Sequence, residues 1–349
     1  MAKERKNKYG VIETKNEFKI YGIVFGTKSQ NFYKDEKNKR EIRFGVNVNY
    51  NKPIYCSLRG FTKDFVYYNN GDTKNNQTIK VEWNKRHAQP KDGFNIIGVR
   101  IGVEQDAEGK NVTKNMTEYD ATQYLYENLR DGDKVMIRGS VDYYQKSDGT
   151  VGKNYTISSI FKSNTIDFDA DDFVEKAMFS RTLVYTDMEQ ETDENGKKTG
   201  RVIMNGYDIS YQNVCKVNFV LTGKPLEKVN AIRKRLKSFN AVDVSGYMDV
   251  VTNITEVSVN KEDDWGEPNE LTKKRANGPT TIEFVVDYIN PLSIDEEKYS
   301  EDSISVAIRQ INSDREARKN FGEKPKANID ISVDEDWGDG GFEDDSEPW

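Results

Sequence analysis

Residues 129–142 and 236–249 line up without a gap, and this internal echo constrains the fold more than any other stretch of the chain. Leu129 meets Leu236, Val135 meets Val242, Ile137 meets Val244, Gly139 meets Gly246 and Asp142 meets Asp249. In both places a helical pattern runs into a strand with a glycine at its middle, where a Cβ would obstruct a tight bend. The order of patterns on either side is also the same. A chance likeness of two strands does not explain that, so the chain reads as two copies of one small unit rich in strands.

The first copy opens with the β-branched and aromatic run 18–25. Residues 40–50 alternate, with Ile42, Phe44, Val46 and Val48 on one face and Arg43, Gly45, Asn47 and Asn49 on the other. Pro53 opens a similar run, in which Ile54, Cys56 and Leu58 oppose Tyr55, Ser57 and Arg59. A helix is expected at 118–129 with Thr117 as its N-cap, followed by strands at 134–144 and 155–161. The second copy offers strands at 181–185, 201–211 and 214–221, a helix at 225–239, then strands at 242–251 and 281–289. Three strands, a helix and two strands is the order of the five-stranded Greek-key barrel, the OB-fold.

The expected fold class is therefore mainly β: two tandem OB-fold barrels, a C-terminal helix and a disordered acidic tail. A flexible basic N-terminus (1–17) precedes the first barrel (18–162), which carries an insertion at about 61–116. A linker (163–177), the second barrel (178–292), a helix (293–323) and the tail (324–349) follow. In the helix Ile304, Ala307, Ile308 and Ile311 recur at helical spacing, which suits packing on the second barrel or a contact in a homo-oligomer.

Most enzyme templates lack their residues. A single histidine, His87, leaves too few ligands for a zinc site of Cys/His type and only one candidate for a catalytic pair. There is no phosphate-binding loop and no dinucleotide fingerprint. Cys56 and Cys215 stand far apart in apolar runs, as small core residues of a reducing compartment do. The polar start, Met-Ala-Lys-Glu-Arg-Lys, is no secretory signal, and no apolar run nears the roughly 20 residues of a membrane helix. A cytoplasmic, non-enzymatic protein without cofactor or metal is expected. Asp169, Asp171 and Asp172 keep a carboxylate-metal nuclease as a rival, and a scaffolding protein with protein-binding barrels is another.

OB domains bind extended ligands on the face of their second and third strands. Alternation assigns Arg43, Asn47, Tyr55 and Arg59 to that face in the first barrel, a mixture that holds phosphates and stacks bases. The loop before it adds Phe32, Tyr33, Lys34 and Arg40, and the insertion adds Trp83 and Arg86 beside His87. The second barrel offers Tyr207 and Lys216, the loop residues Lys197, Lys198 and Arg201, and the run Lys273, Lys274, Arg275. For any one cation, edge protection and solubility are an equally good explanation. The combination of Arg43, Tyr55 and Arg59 favours a ligand.

Charge separates the tail from the rest. The chain has a formal net charge of −7, of which residues 330–349 supply −9, leaving +2 on residues 1–329. That segment cannot bury enough apolar surface to offset its ordering. It nevertheless carries Trp337, Phe342 and Trp349, which suit hooking a basic, apolar pocket on a partner protein.

Barrels of this kind with such a terminus resemble the single-stranded DNA-binding proteins of bacteria and their phages. In the bacterial family the tail ends in several Asp, an apolar residue, Pro and Phe. Here Glu343-Asp-Asp-Ser-Glu-Pro-Trp349 keeps the acids (Asp344 and Asp345 among them), Pro348 and a terminal aromatic, with Glu347 at the apolar place. Two barrels in one chain are more like a phage or mobile-element version. The resemblance implies coating of single-stranded DNA during replication, recombination or repair, and recruitment of partner proteins through the tail.

Overall fold

The computed structural model describes residues 4–72, 74–146, 150–193, 195–223, 226–255 and 276–321, with side chains left aside at 226, 252–255, 276–280 and 318–321. The first barrel begins with β1 (Asn16–Phe25), β2 (Tyr33–Glu36), β3 (Lys39–Asn47) and β4 (Pro53–Phe61). An insertion supplies β5 (Phe65–Asn69), β6 (Thr78–Glu82), β7 (Asn95–Ile96), β8 (Val99–Gln105) and β9 (Asn111–Met116). Helix α1 (Glu118–Asn128), β10 (Lys134–Gln145) and β11 (Val151–Lys162) complete it. The second unit runs β12 (Ala177–Thr192), β13 (Lys198–Ile209), β14 (Val214–Leu221), α2 (Leu226–Arg235), β15 (Ala241–Thr255) and β16 (Ala276–Ile289), and α3 (Glu301–Phe321) follows.

Both units close in one way. In the first, β1 pairs β3 and β10, β3 pairs β4, β4 runs parallel to β11, and β11 returns to β10. In the second, β12 pairs β13 and β15, β13 pairs β14, β14 runs parallel to β16, and β16 returns to β15. This is the five-stranded Greek-key closure expected from the element order. The alternating apolar residues point inward: Ile20, Ile42, Val46, Ile54 and Ile137 are fully enclosed. Each contributes roughly 1.5–3 kcal/mol by leaving water.

The two barrels join through their first strands. β1 and β12 pair antiparallel with Phe18 opposite Phe179, so among the described residues thirteen strands form one continuous sheet. On its other flank Phe18 faces Gly139, and Phe179 faces Gly246. The echo in sequence is therefore an echo in space. A Cβ at Gly139 would stand 1.9 Å from the Thr156 carbonyl oxygen, and one at Gly246 would stand 1.9 Å from that of Val285. In both barrels the pairing of strands four and five shifts register beside this glycine. Glycine is what lets the backbones approach there.

The insertion divides into two parts. β5, β6 and β7 form a separate sheet over Val66, Tyr68 and Phe94. β8 and β9 make a hairpin, and β8 lies parallel to β11, widening the wall of the first barrel. Thr117 caps α1 as expected, its hydroxyl accepting from the Asp120 amide at 3.1 Å.

The N-terminus departs from expectation. Residues 4–15 are not a flexible arm: Val11 is buried with Ile209, Ile304 and Ala307, and Lys8 pairs with Asp314 of α3 at 2.7 Å. The same contacts seat α3 on the second barrel. Among the described residues no helix is long and apolar enough to cross a membrane.

Candidate nucleic-acid interface

Strand alternation places Glu41, Arg43, Gly45 and Asn47 on the outer face of β3 and Arg59, Ser57 and Tyr55 beside them on β4, with Glu41 opposite Arg59 and Gly45 opposite Tyr55. Gly45 has no side chain for a reason visible here. The Phe25 ring lies over it, and a Cβ would come within 2.0 Å of that ring. Phe25 then meets Tyr55 edge to face at 5.7 Å, and Tyr55 remains 50% exposed. An aromatic platform thus stands in the middle of the face.

The cations around it are tied to one carboxylate. Glu41, only 5% exposed, accepts from Arg43 Nε and from Arg59 Nη2 at 3.0 Å, and Lys39 Nζ is 3.5 Å away. Burial pushes its pKa up, but the guanidinium groups of Arg59 and Arg43 outweigh burial and hold it below the usual carboxylate value. The shared carboxylate fixes where the guanidinium planes lie. Ser57 hydroxyl donates to Asn154 at 2.8 Å where β4 crosses to β11.

Other expected contacts are used inside the fold. Phe32 is buried, packed on Phe44 and Tyr126, and presents no ring to a ligand. Tyr33 stacks on Tyr126 of α1 at 4.4 Å. Arg40 reaches the same helix, donating to Gln123 at 2.6 Å and lying 4.1 Å over the Tyr119 ring, while its Nε holds Asp35. These three side chains dock the β2–β3 hairpin on α1. Lys34, on the β2 edge, is half-buried.

Trp83 and Arg86 have an equivalent task. Arg86 makes a bidentate pair with Asp120 at 2.8 and 3.0 Å and lies 4.4 Å over the Trp83 indole, whose edge meets Tyr119. They staple the insertion to the start of α1. His87 next to them is exposed.

In the second barrel Tyr207 and Lys216 are cross-strand neighbours, as alternation requires. Tyr207 stacks against Phe239, and Lys216 is exposed. Acids dominate nearby: Asn205 donates to Asp187 and Glu189, and Arg201 is held by Glu191 and Glu283. Lys197 and Lys198 sit exposed by the β12–β13 turn. Lys273, Lys274 and Arg275 lie outside the described residues, as do Trp337, Phe342, Asp344, Asp345, Pro348 and Trp349. Among the described residues no three His, Cys, Asp or Glu are grouped to hold a metal ion.

The structure thus places Arg43, Asn47, Tyr55 and Arg59 on one face of β3 and β4 and puts Phe32, Tyr33, Arg40, Trp83 and Arg86 in internal contacts. Two members of the face escaped the sequence reading. Glu41 obeys the same alternation as Arg43, and Phe25 ends the first strand opposite Gly45. Both were within reach of the period-two rule.

A family model described as YorF matches residues 71–324. Among solved structures the chain is similar to a deletion mutant of the single-stranded DNA binding protein from Thermus aquaticus, at 8% identity over 83% of this chain and 98% of that one, with a TM-score of 0.38. It is also similar to the wild-type protein of that organism, at 8% identity over 80% of this chain and 93% of that one, again with a TM-score of 0.38. No curated protein matches. The assignment of the barrels rests on their strand pairing and not on these likenesses.

Proposed function

The chain belongs to the YorF family, and we propose that it binds single-stranded DNA without sequence specificity, as a non-enzymatic coating protein. The observation that carries this reading is the β3–β4 face. An exposed tyrosine braced by Phe25 shares its face with Arg43, Arg59 and Lys39, which gather on Glu41. Stacking on such a ring contributes roughly 1–3 kcal/mol per base and accepts any base. The neighbouring cations take the phosphates. A second barrel in the same chain raises the effective concentration for a strand that spans both.

The finer reading follows the resemblance seen in the tail. The protein acts in replication, recombination or repair in the cytoplasm of a bacterial host, as a phage or mobile-element version of such proteins. Trp337, Phe342 and Trp349, set among acids, recruit partner proteins.

Fluorescence titration with poly-dT tests the core of this. Salt-sensitive quenching of tyrosine and tryptophan emission is expected. Replacing Arg43, Tyr55 and Arg59 together by alanine should weaken binding at least 100-fold, roughly what one stack and two phosphate contacts supply. Absence of binding at low salt sinks the proposal. Magnesium-dependent loss of the oligonucleotide points to the nuclease instead.

A further inference from the structure

A second surface has the chemistry of the first without its carboxylate clamp. β1, β10, β11 and β8 lie side by side, and register sets two parallel rows on their outer side. One row reads Lys19, Arg138, Ser159, Arg100 across the four strands. The next reads Tyr21, Met136, Phe161, Gly102. Neighbouring strands are about 4.8 Å apart and residues i and i+2 about 6.6 Å apart. A line of cations therefore runs beside a line of two aromatic rings with a methionine between them.

The side chains already associate in that sense. Lys19 lies 4.9 Å over the Tyr21 ring, and Arg100 lies 5.5 Å over that of Phe161. Arg100 and Arg138 are exposed. Among the described residues Lys19, Arg100 and Arg138 make no ion pair, whereas Arg43 and Arg59 share Glu41. The acids at the margin are Asp133, taken by Lys162 at 3.3 Å, and Glu17. Between the rows lies a shallow depression of about 450 Å³, floored by Met136 and Phe161. Arg100 also borders a second depression of about 640 Å³, whose walls include Asn69, Asn95 and Asn115. The surface thus continues from the barrel onto the insertion, which itself contributes Arg100.

We propose that this wall is a second path for single-stranded nucleic acid, with bases on Tyr21 and Phe161 and phosphates along Lys19, Arg138 and Arg100. It rests on the reading of the barrels as single-strand binders. Unpaired cations with flanking rings favour a polyanion that has planar faces. An open, shallow floor suits an extended strand better than an enclosed small ligand. The wall also borders the first strand, through which both barrels are joined. A strand leaving the β3–β4 face reaches it by passing around the first barrel.

The test compares three full-length proteins: wild type, a wall variant (Lys19→Ala, Arg100→Ala, Arg138→Ala) and the face variant (Arg43→Ala, Tyr55→Ala, Arg59→Ala). Each is titrated with a 40-nucleotide poly-dT over a range of salt, and its mass in solution is measured without DNA. The wall variant should bind about tenfold more weakly, and its log–log salt slope should fall by about 2, since each lost phosphate contact removes about 0.7. Ultraviolet crosslinking of the wild type should attach the oligonucleotide to peptides holding Tyr21 or Phe161. A wall variant that binds like wild type, while the face variant does not, overturns the second path and leaves the function standing. No binding by wild type removes both. A change of mass in the wall variant before DNA is added makes this wall an interface between copies and overturns the proposal.

Discussion

The Arg181 guanidinium donates to the Tyr143 hydroxyl at 2.7 Å, and this bond crosses from the second barrel to the first. Arg181 is 1% exposed, on β12, and also donates to the Val141 carbonyl at 3.1 Å and to Asn16. Its ring contacts are Tyr143 and Phe284, one from each barrel, and Asp208 stands 3.6 Å away. Lys153 of the first barrel adds a contact in the other direction, donating to the Ile282 carbonyl of the second at 2.6 Å. The joint between barrels is thus a buried polar cluster whose partners come from both sides.

Truncating Arg181 should therefore cost more than losing one hydrogen bond. Arg181→Ala takes a donor from Asn16 and from Tyr143 and the counter-charge from buried Asp208, and a loss of about 3–5 kcal/mol is expected. Tyr143→Phe removes one neutral acceptor and should cost about 1–3 kcal/mol, since a donor of Arg181 then stays buried and unsatisfied. Urea unfolding of the two variants against wild type checks the ordering. Equal, small losses would mean that the cluster is solvated and not a joint.

The same cluster should give stability a particular dependence on pH. Burial pushes the Asp208 carboxyl up to about 6, although Arg181 opposes it, and Asp142 raises it further. The folded protein then holds a proton that the unfolded chain releases near pH 4. That contribution is complete below about pH 4 and is lost as pH rises through about 6. The stability difference between wild type and Asp208→Asn should accordingly fall by roughly 2–3 kcal/mol over this window and stay flat above it. A difference independent of pH would show that folding leaves the Asp208 pKa where it is in the unfolded chain.

How much of this was legible in sequence depends on where periodicity speaks. The paired glycines, Gly139 and Gly246, and the apolar alternation of Ile42 to Val48 fall inside strands, where period two is strict, and both were read correctly. Phe32 sits in a turn-rich stretch without period, so nothing local tells whether its ring turns inward. Arg40 and Arg86 carry the charge of a ligand contact, yet their partners, Gln123 and Asp120, come from a helix that follows an insertion. Order in residues 4–15 depends on contacts such as Lys8 with Asp314, 306 positions away. Burial of Glu41 is another tertiary effect, produced by three long cations folding over it.

Gly139 and Gly246 give a prediction that separates duplication of form from duplication of stress. A methyl at either position must displace a backbone carbonyl 1.9 Å away. Gly139→Ala and Gly246→Ala should each cost about 3 kcal/mol or more, within the range for overpacking. Ser245→Ala, next to the same irregularity, should change stability by less than about 0.5 kcal/mol. Thermal melts of the three variants provide the comparison, and a neutral glycine variant would mean that the bulge yields without strain.

Glu41 decides whether the arginines of the β3–β4 face serve a ligand or only the fold. Its carboxylate is buried and held below its ordinary pKa by Arg59 and Arg43, so it stabilises the fold above the unfolded value, and that contribution is lost as pH falls. Glu41→Gln keeps the shape, removes the charge and leaves two guanidinium groups less constrained. A loss of stability of about 1–3 kcal/mol is expected at neutral pH, because charge-assisted bonds become neutral ones. If the face binds single strands, the variant gains one net positive charge there, so affinity for poly-dT should rise several-fold at low salt. If Arg43 and Arg59 act only as structural partners of Glu41, stability falls while affinity stays where it was. Denaturation and oligonucleotide titration on the same preparation read both effects, and only their combination assigns the two arginines to binding.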